Sequence, residues 1–169
     1  MKRISLIVLV ILLSNFLLKA QDEVSSKQKS SIQESTSFVS GGYSWLNDSD
    51  DKFIDLSYQN LYSINKGFYA YYLLDAGIGL DNQIAKFLLD FTPGLSIYIV
   101  NKSNLFVKTD LGAGISILSP KEGDCQTGIS SLLKVSLGYD FIGVYTQVGY
   151  HQFKTGGFER FSVGLSFRF

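Results

Sequence analysis

The chain has little of the chemistry that builds metal centres, disulfide-bonded domains or nucleic-acid-binding surfaces. Its 169 residues include one cysteine and one histidine, so an internal disulfide is impossible, and the sequence has no Cys/His metal cluster and no glycine-rich phosphate loop. Basic and acidic residues number 15 each, a balance that points to no nucleic-acid partner. Beyond residue 18 no apolar run is long enough for a transmembrane helix. The fold must therefore be stabilised without disulfide bonds.

The N-terminal segment has the organisation of a secretory signal peptide. A basic start at residues 1–3 precedes an apolar run that ends at Leu18, and polar residues follow Ala20. The run is interrupted at residues 14–15 and is shorter than the roughly 20 residues of a spanning helix, which argues against a membrane anchor. We expect cleavage after Ala20, which leaves 149 residues with 12 basic and 15 acidic side chains.

The remaining chain alternates between apolar and polar residues. Residues 21–36 are polar and serine-rich, which predicts a disordered leader. From residue 37 onward the period is two, which predicts strands. The predicted strands cover residues 37–46, 53–62, 68–80, 87–100, 105–118, 129–139, 143–153 and 156–169. Short connections force antiparallel neighbours, and eight such strands can close without a free edge. The sequence therefore predicts an all-β, eight-stranded, antiparallel up-and-down barrel over residues 37–169, with a bulge or local kink at Pro93.

Three features indicate that the apolar face of this barrel points outward, toward lipid. First, nine of the 16 glycines fall on the polar face, where they suit a narrow interior better than a solvated surface. These are Gly42, Gly77, Gly79, Gly94, Gly112, Gly114, Gly138, Gly149 and Gly164. Second, ten residues at a tilt of about 40° rise roughly 25 Å, the height of the apolar band of an outer-membrane barrel. Third, aromatic residues cluster toward the strand ends, as interfacial girdles do. The alternative is a soluble periplasmic barrel with an apolar, ligand-binding interior.

The chain from residue 21 onward resembles the small bacterial outer-membrane β-barrel proteins of the OmpA/OmpX type. The segment DFTPGLSIYIVNKSNLFVKTDLGAGIS, residues 90–116, is similar to the Pro-Gly strand, tight periplasmic turn and glycine-rich next strand of that family. The resemblance implies the outer membrane of a Gram-negative cell, with both termini in the periplasm. The connections that would then face outside are residues 47–52, 81–86, 119–128 and 154–159.

The same resemblance implies a role for the last strand. In that family a final strand ending in phenylalanine is read by the outer-membrane insertion machinery. The corresponding residues here are Phe161, Val163, Leu165, Phe167 and Phe169. The expected partners are this machinery, outer-membrane lipid and lipopolysaccharide, and we expect the protein to be a monomer.

Charged residues recur on the inward face of the predicted strands. They are Asp55, Asp75, Asp90, Lys108, Asp110, Lys134, Arg160 and Arg168. Because a buried charge must be paired, we expect a structural network of salt bridges and hydrogen bonds that fills the barrel. Eight strands leave no aqueous channel, so a porin-like solute path is not expected.

His151 is the one residue that suggests an enzyme. If residues 154–159 closed symmetrically, His151 would lie across from Ser162 with Glu159 nearby, a possible Ser-His-acid set for acyl transfer. Some barrels of this membrane modify lipid A, so a lipid A-modifying enzyme is the second functional alternative. Both His151 and Ser162 are predicted to face the interior, away from lipid, which favours a protein without catalytic activity.

The loops add no catalytic or metal-binding motif. Carboxylates occur at residues 47–52 and 119–128, but neither stretch has the spacing of an EF-hand calcium loop, and Cys125 is interpreted as an incidental loop thiol. The sequence therefore predicts no catalytic residue, no metal and no cofactor. It favours a non-enzymatic integral outer-membrane protein with an envelope-structural role, or a surface-interaction role through its extracellular loops.

Overall fold

A single closed sheet forms the described part of the molecule. The computed structural model describes residues 35–47, 49–80, 85–102 and 104–169. The strands are β1 (Ser35–Leu46), β2 (Lys52–Asn65), β3 (Phe68–Leu80), β4 (Ala85–Lys102), β5 (Leu105–Pro120), β6 (Gln126–Tyr139), β7 (Ile142–Phe153) and β8 (Gly156–Arg168). Each strand pairs antiparallel with the next, and β8 pairs with β1 to close the ring. The predicted eight-stranded antiparallel barrel is confirmed.

The strand limits follow the alternation closely, with two informative differences. β1 begins at Ser35, inside the predicted leader of residues 21–36, because Ser35 already pairs with Tyr62 of β2. The connection predicted at 154–159 is only a two-residue turn, because Phe153 pairs directly with Gly156. The predicted signal peptide, residues 1–20, and most of the leader lie outside the described residues. No helix in the described ranges is long and apolar enough to cross a membrane.

The connections distinguish two ends of the barrel. The terminus end holds the start of β1, the chain end and the tight turns after β2, β4 and β6. At this end Ser37 and Phe169 exchange backbone hydrogen bonds of 3.1 and 3.0 Å. Asn104 and Asp140 adopt positive φ angles of 74° and 55°, the left-handed conformation that tight hairpin turns require. The loop end holds the connections after β1, β3, β5 and β7.

The outer wall is apolar and the inner wall is polar. The outward side chains of Leu56 and Ile78 are 63% and 60% exposed, whereas the inward carboxylates of Asp55 and Asp75 are 2% and 3% exposed. A soluble barrel buries its apolar residues and presents its polar residues to water. The observed arrangement is the reverse, so the interior does not match the apolar cavity expected of the soluble alternative.

Inward glycines make room for three inward aromatic rings. The pairs are Tyr71 with Gly94 and Gly112, Tyr145 with Gly42 and Gly164, and Phe106 with Gly138. A Cβ added at Gly112, for example, would lie 2.5 Å from the Tyr71 hydroxyl oxygen. The interior of an eight-stranded barrel is just wide enough for side chains, so each large ring lies beside glycines, which have no side chain.

Pro93 in β4 interrupts the sheet without shifting its register. It pairs with Tyr72 of β3, but neither Thr92 nor Pro93 has a partner in β5. The register is the same on both sides of this gap, so of the expected bulge or local kink the bulge is absent, and the register shifts of β4 lie nearer its ends. A Cβ at Gly112 would lie 2.8 Å from the Pro93 carbonyl oxygen, so a glycine on β5 allows close approach where proline cannot donate.

Candidate functional site

The barrel interior is built in three layers. The loop-end layer consists of Leu46, Phe53, Leu88, Leu118 and Phe153, with Phe158 packed against it. The terminus-end layer consists of Phe38, Leu61, Tyr71, Leu73, Phe106 and Leu132, with Tyr69 and Tyr98 packed against it. Most of the charged residues lie between these apolar layers. Along β2, for example, Asp55 lies between Phe53 of the first layer and Leu61 of the second.

Arg160 of β8 is the centre of the larger charged cluster. Its Nη2 pairs with Asp55 Oδ1, and its Nη1 lies 3.1 Å from Asp75 Oδ2 and 3.2 Å from Asp90 Oδ2. Its Nε donates to Ser44 Oγ at 2.9 Å. A guanidinium is always charged and offers its donors in one plane, so a single side chain can join several strands. Arg160 connects β8 with β1, β2, β3 and β4 across the interior.

His151 extends this cluster to β5. Its Nδ1 lies 3.1 Å from Ser116 Oγ and 3.4 Å from Asp90 Oδ1, and Ser116 donates to Asp90 at 2.5 Å. The hydroxyl and the carboxylate therefore approach the same ring nitrogen. In a Ser-His-Asp triad the serine and the acid contact different nitrogens, so that the imidazole can take a proton on one side while held on the other. The arrangement around His151 is a structural contact and not a triad.

The serine and glutamate predicted beside His151 lie elsewhere. Because β8 begins directly after a two-residue turn, His151 pairs with Phe158, four residues before Ser162. Glu159 is exposed and accepts a hydrogen bond from Asn47 Nδ2 at 3.4 Å. The predicted register of β7 and β8 was wrong, and the Ser162–His151–Glu159 set is not assembled.

A second, smaller cluster lies toward the terminus end. Lys108 Nζ is 2.5 Å from Asp110 Oδ2 and donates to Gln59 Oε1 at 2.8 Å. Gln59 Nε2 in turn donates to Asp110 Oδ2 at 3.0 Å. Lys108 Nζ also lies 4.7 Å from the centre of the Phe38 ring. The three polar groups form a closed triangle with no net charge.

Two of the predicted interior cations lie against aromatic rings. Lys134 is buried, and its Nζ lies 4.3 Å from the centre of the Tyr145 ring, a cation–π contact. No hydrogen-bond acceptor for this Nζ is present among the described residues. Arg168 is only half-buried, with its guanidinium 5.4 Å from the centre of the Phe106 ring. The structure thus places seven of the eight predicted charges in the interior proper and Arg168 at its terminus end.

The neutral members of the network are not recognisable from the sequence pattern. Ser44, Gln59 and Ser116 each join two buried polar residues of the network, and nothing in the sequence distinguishes them from the other inward polar residues. Their inward position on the period of two was the available signal. Which of the many inward serines meets a charge depends on how the barrel closes, and alternation alone does not contain that information.

Comparison with known proteins identifies solved structures with a similar fold. The sequence matches no protein-family model and no curated protein. The structure is similar to Neisserial surface protein A, with a TM-score of 0.57 and 11% identity over 80% of this chain and 96% of that chain. It is also similar to the N-terminal β-barrel domain of Pseudomonas aeruginosa OprF, with a TM-score of 0.55 and 10% identity over 81% and 98%.

A third similar structure is Ail, the attachment invasion locus protein of Yersinia pestis. Its TM-score is 0.50, with 11% identity over 82% of this chain and 100% of that chain. At such low identities the similarity is one of fold: the small, closed, eight-stranded barrel of bacterial outer-membrane proteins. The family name OmpA/OmpX remains a resemblance, because no family model matches.

Proposed function

We propose that the protein is a non-enzymatic, integral outer-membrane barrel with an envelope-structural or surface-interaction role. The observation that carries this proposal is the continuous apolar outer wall. Each of β2 to β8 contributes a highly exposed aliphatic side chain. Examples are Ile54, Ile78, Leu95, Ile115, Ile129, Val144 and Leu165. An apolar surface that encircles a molecule would drive aggregation in water, whereas lipid chains cover it without penalty.

Aromatic groups at both ends of this wall support the membrane location. Near the loop end the Trp45 ring lies 6.3 Å from Tyr43 and 6.1 Å from Phe161 between ring centres. Such rings at the two limits of an apolar band are typical of interfacial girdles.

A tyrosine cluster occupies the same wall toward the terminus end. The Tyr72 ring lies 6.2 Å from Tyr58 and 6.1 Å from Tyr62, and Asn60 Nδ2 donates to the Tyr62 hydroxyl at 3.2 Å. Tyrosine suits an interface because its ring is apolar and its hydroxyl is polar. The two aromatic groups would mark the two faces of the bilayer.

A structural role is supported by the way the interior is filled. Arg160 and Lys108 are paired with buried carboxylates, and apolar layers lie on both sides of the clusters. This arrangement favours a closed, rigid barrel over a pore or an acyl-transfer enzyme. With the termini in the periplasm, the loop end would face outside and be free to meet other molecules. Two of the similar structures are a surface protein and an attachment invasion locus protein, which agrees with such a role.

The membrane location can be tested by gel mobility of the protein from purified outer membranes, unheated and boiled in SDS. Closed membrane barrels resist SDS until heated, because every backbone group is paired within the ring. We expect a heat-dependent shift. Recovery of the protein from the soluble periplasm, with no shift, would contradict the proposal.

The role proposed for the chain end can be tested separately. Phe169 is 71% exposed, and its backbone pairs with Ser37, so Phe169→Ser removes the ring without removing the ladder contact. We expect this variant to reach the outer membrane in much lower amount. Phe141→Ser, at another exposed aromatic of the terminus end, is the matched control. Equal amounts of both variants would mean that Phe169 is no insertion signal.

A further inference from the structure

A cavity opens at the loop end of the barrel, on the outer side of the loop-end layer. Its volume is about 230 Å³. The apolar part of its lining consists of Leu46, Leu118, Phe153 and Phe158, which belong to four different strands, and Ser49 and Thr155 add hydroxyl groups. Three of the four apolar side chains are buried, so the walls are part of the packed interior and not of a loop alone.

The lining favours an uncharged, planar ligand. No charged side chain is among the described residues that line the cavity, so an ion would lose its hydration without a partner. The rings of Phe153 and Phe158 are nearly parallel, at 27° with centres 5.7 Å apart, and Phe158 stacks in the same way on His151 at 5.1 Å. Flat ligands pack well against such a stack, because offset stacking adds to the burial of apolar area.

The size and the floor of the cavity favour a compact ligand over an extended chain. The volume is about half as large again as the roughly 150 Å³ of an apolar protein cavity that binds benzene, which suits one or two fused rings. Phe53 and Leu88 do not line the cavity but are fully buried in the loop-end layer to which Leu46, Leu118 and Phe153 also belong, and the Arg160 guanidinium lies 5.7 Å from the centre of the Phe53 ring. A long acyl chain would have to pass this paired charge.

We propose that the loop-end cavity is a binding site for a small, uncharged, planar aromatic molecule of one or two rings. The site depends on the closed barrel and not on the membrane location, so it can be tested whether or not the location is correct. It would give the barrel a ligand-binding activity in addition to a structural one.

The test is ¹⁹F NMR titration of 1-fluoronaphthalene into the full-length protein refolded in detergent, with protein-free micelles as the baseline. We expect saturable binding at one site per barrel. Leu118→Trp fills the cavity and should weaken binding at least about tenfold, because an overpacked site leaves no room for the ligand. Ile117→Trp introduces the same side chain at the neighbouring outward position, which is 40% exposed, and should change binding by less than about twofold.

Further arms separate ring binding from simple apolar uptake. Phe158→Leu keeps an apolar wall but removes the ring face, so it should weaken the binding of 1-fluoronaphthalene several-fold. In the native protein, 1-decanol should compete poorly with 1-fluoronaphthalene. Non-saturable uptake equal to that of empty micelles, or equal binding by Leu118→Trp and Ile117→Trp, would overturn the proposal. Tighter binding of 1-decanol than of 1-fluoronaphthalene would assign the cavity to an alkyl chain instead. If Leu118→Trp fails the heat-shift assay for folding, Leu46→Phe fills the same cavity and takes its place.

Discussion

The two charged clusters of the interior use similar residues in different ways. Arg160 reaches partners that are distant in sequence, with Asp55 and Asp90 separated from it by 105 and 70 residues. Lys108 pairs with Asp110, only two residues along the same strand, and its distant partner is the neutral Gln59. The first cluster joins several strands across the barrel, whereas in the second the charges of Lys108 and Asp110 mainly neutralise each other within one strand. Buried charge alone therefore does not tell how strongly a residue stabilises the closed ring.

The largest effect is expected from removing the centre of the first cluster. Arg160→Met leaves the carboxylates of Asp55, Asp75 and Asp90 buried without their cation. Breaking a buried ionic contact in this way costs about 3–5 kcal/mol of unfolding free energy. Urea unfolding of the folded barrel in detergent measures this loss. Arg168→Met, at the half-buried terminus-end position, is the control, and an equal loss there would remove the distinction between the two positions.

A smaller effect is expected from the second cluster. Lys108→Met removes the cation that is paired with the Asp110 carboxylate and leaves the donor of Gln59 in place, and we expect a loss of about 2–3 kcal/mol in the same unfolding assay. The loss should be smaller than that of Arg160→Met because one carboxylate is left unpaired and not three. Equal losses for the two variants would show that the number of carboxylates left without a cation does not determine the loss of stability.

The local pair should be removable as a unit. The double variant Lys108→Met/Asp110→Asn removes both charges of the pair and keeps an amide for Gln59, so we expect a loss of about 1 kcal/mol or less relative to the native protein. A double-mutant cycle with the two single variants measures the coupling. Additive losses would show that Lys108 and Asp110 act independently.

The smallest effect is expected at His151. Asp90 keeps Arg160 and Ser116 when His151→Gln removes the imidazole, so the unfolding free energy should fall by only about 0.5 kcal/mol. We also expect no change in the lipid A mass spectrum of cells that carry this variant. A changed spectrum would revive the lipid A-modifying enzyme and would give His151 a role beyond the cluster.

The alternation of apolar and polar residues predicted the strands of this barrel and their two faces, because it depends only on residues that are neighbours in the sequence. Successive side chains of a strand point to opposite faces, so the charge at Asp55 and the apolar residue at Ile54 could be assigned to opposite walls from their positions alone. The same logic placed Lys134 and Arg160 inside. It failed for the contact of His151, because a two-residue turn moved the pairing of β7 with β8 by four residues and left both faces unchanged.

Pro93 is a second position where the pattern of one strand does not predict how two strands pair. A proline within a strand correctly indicated a disturbance of the ladder, but not its form. The structure accommodates the missing donor through close approach of β4 to the glycines of β5, with no shift of register. Strand spacing depends on residues of two strands together, which a single-strand pattern does not describe.

The alternation along the chain is enough to predict the eight strands, their antiparallel order and the inner or outer wall to which each strand residue belongs. These properties depend on a two-residue period and on short connections, which are features of neighbouring residues. Which inward groups contact one another is visible only in the closed barrel: Arg160 with three carboxylates, His151 with Ser116, and Phe153 with Phe158 beside the loop-end cavity. Such contacts cross the interior, and the register and stagger of all eight strands must be set before any of them exists.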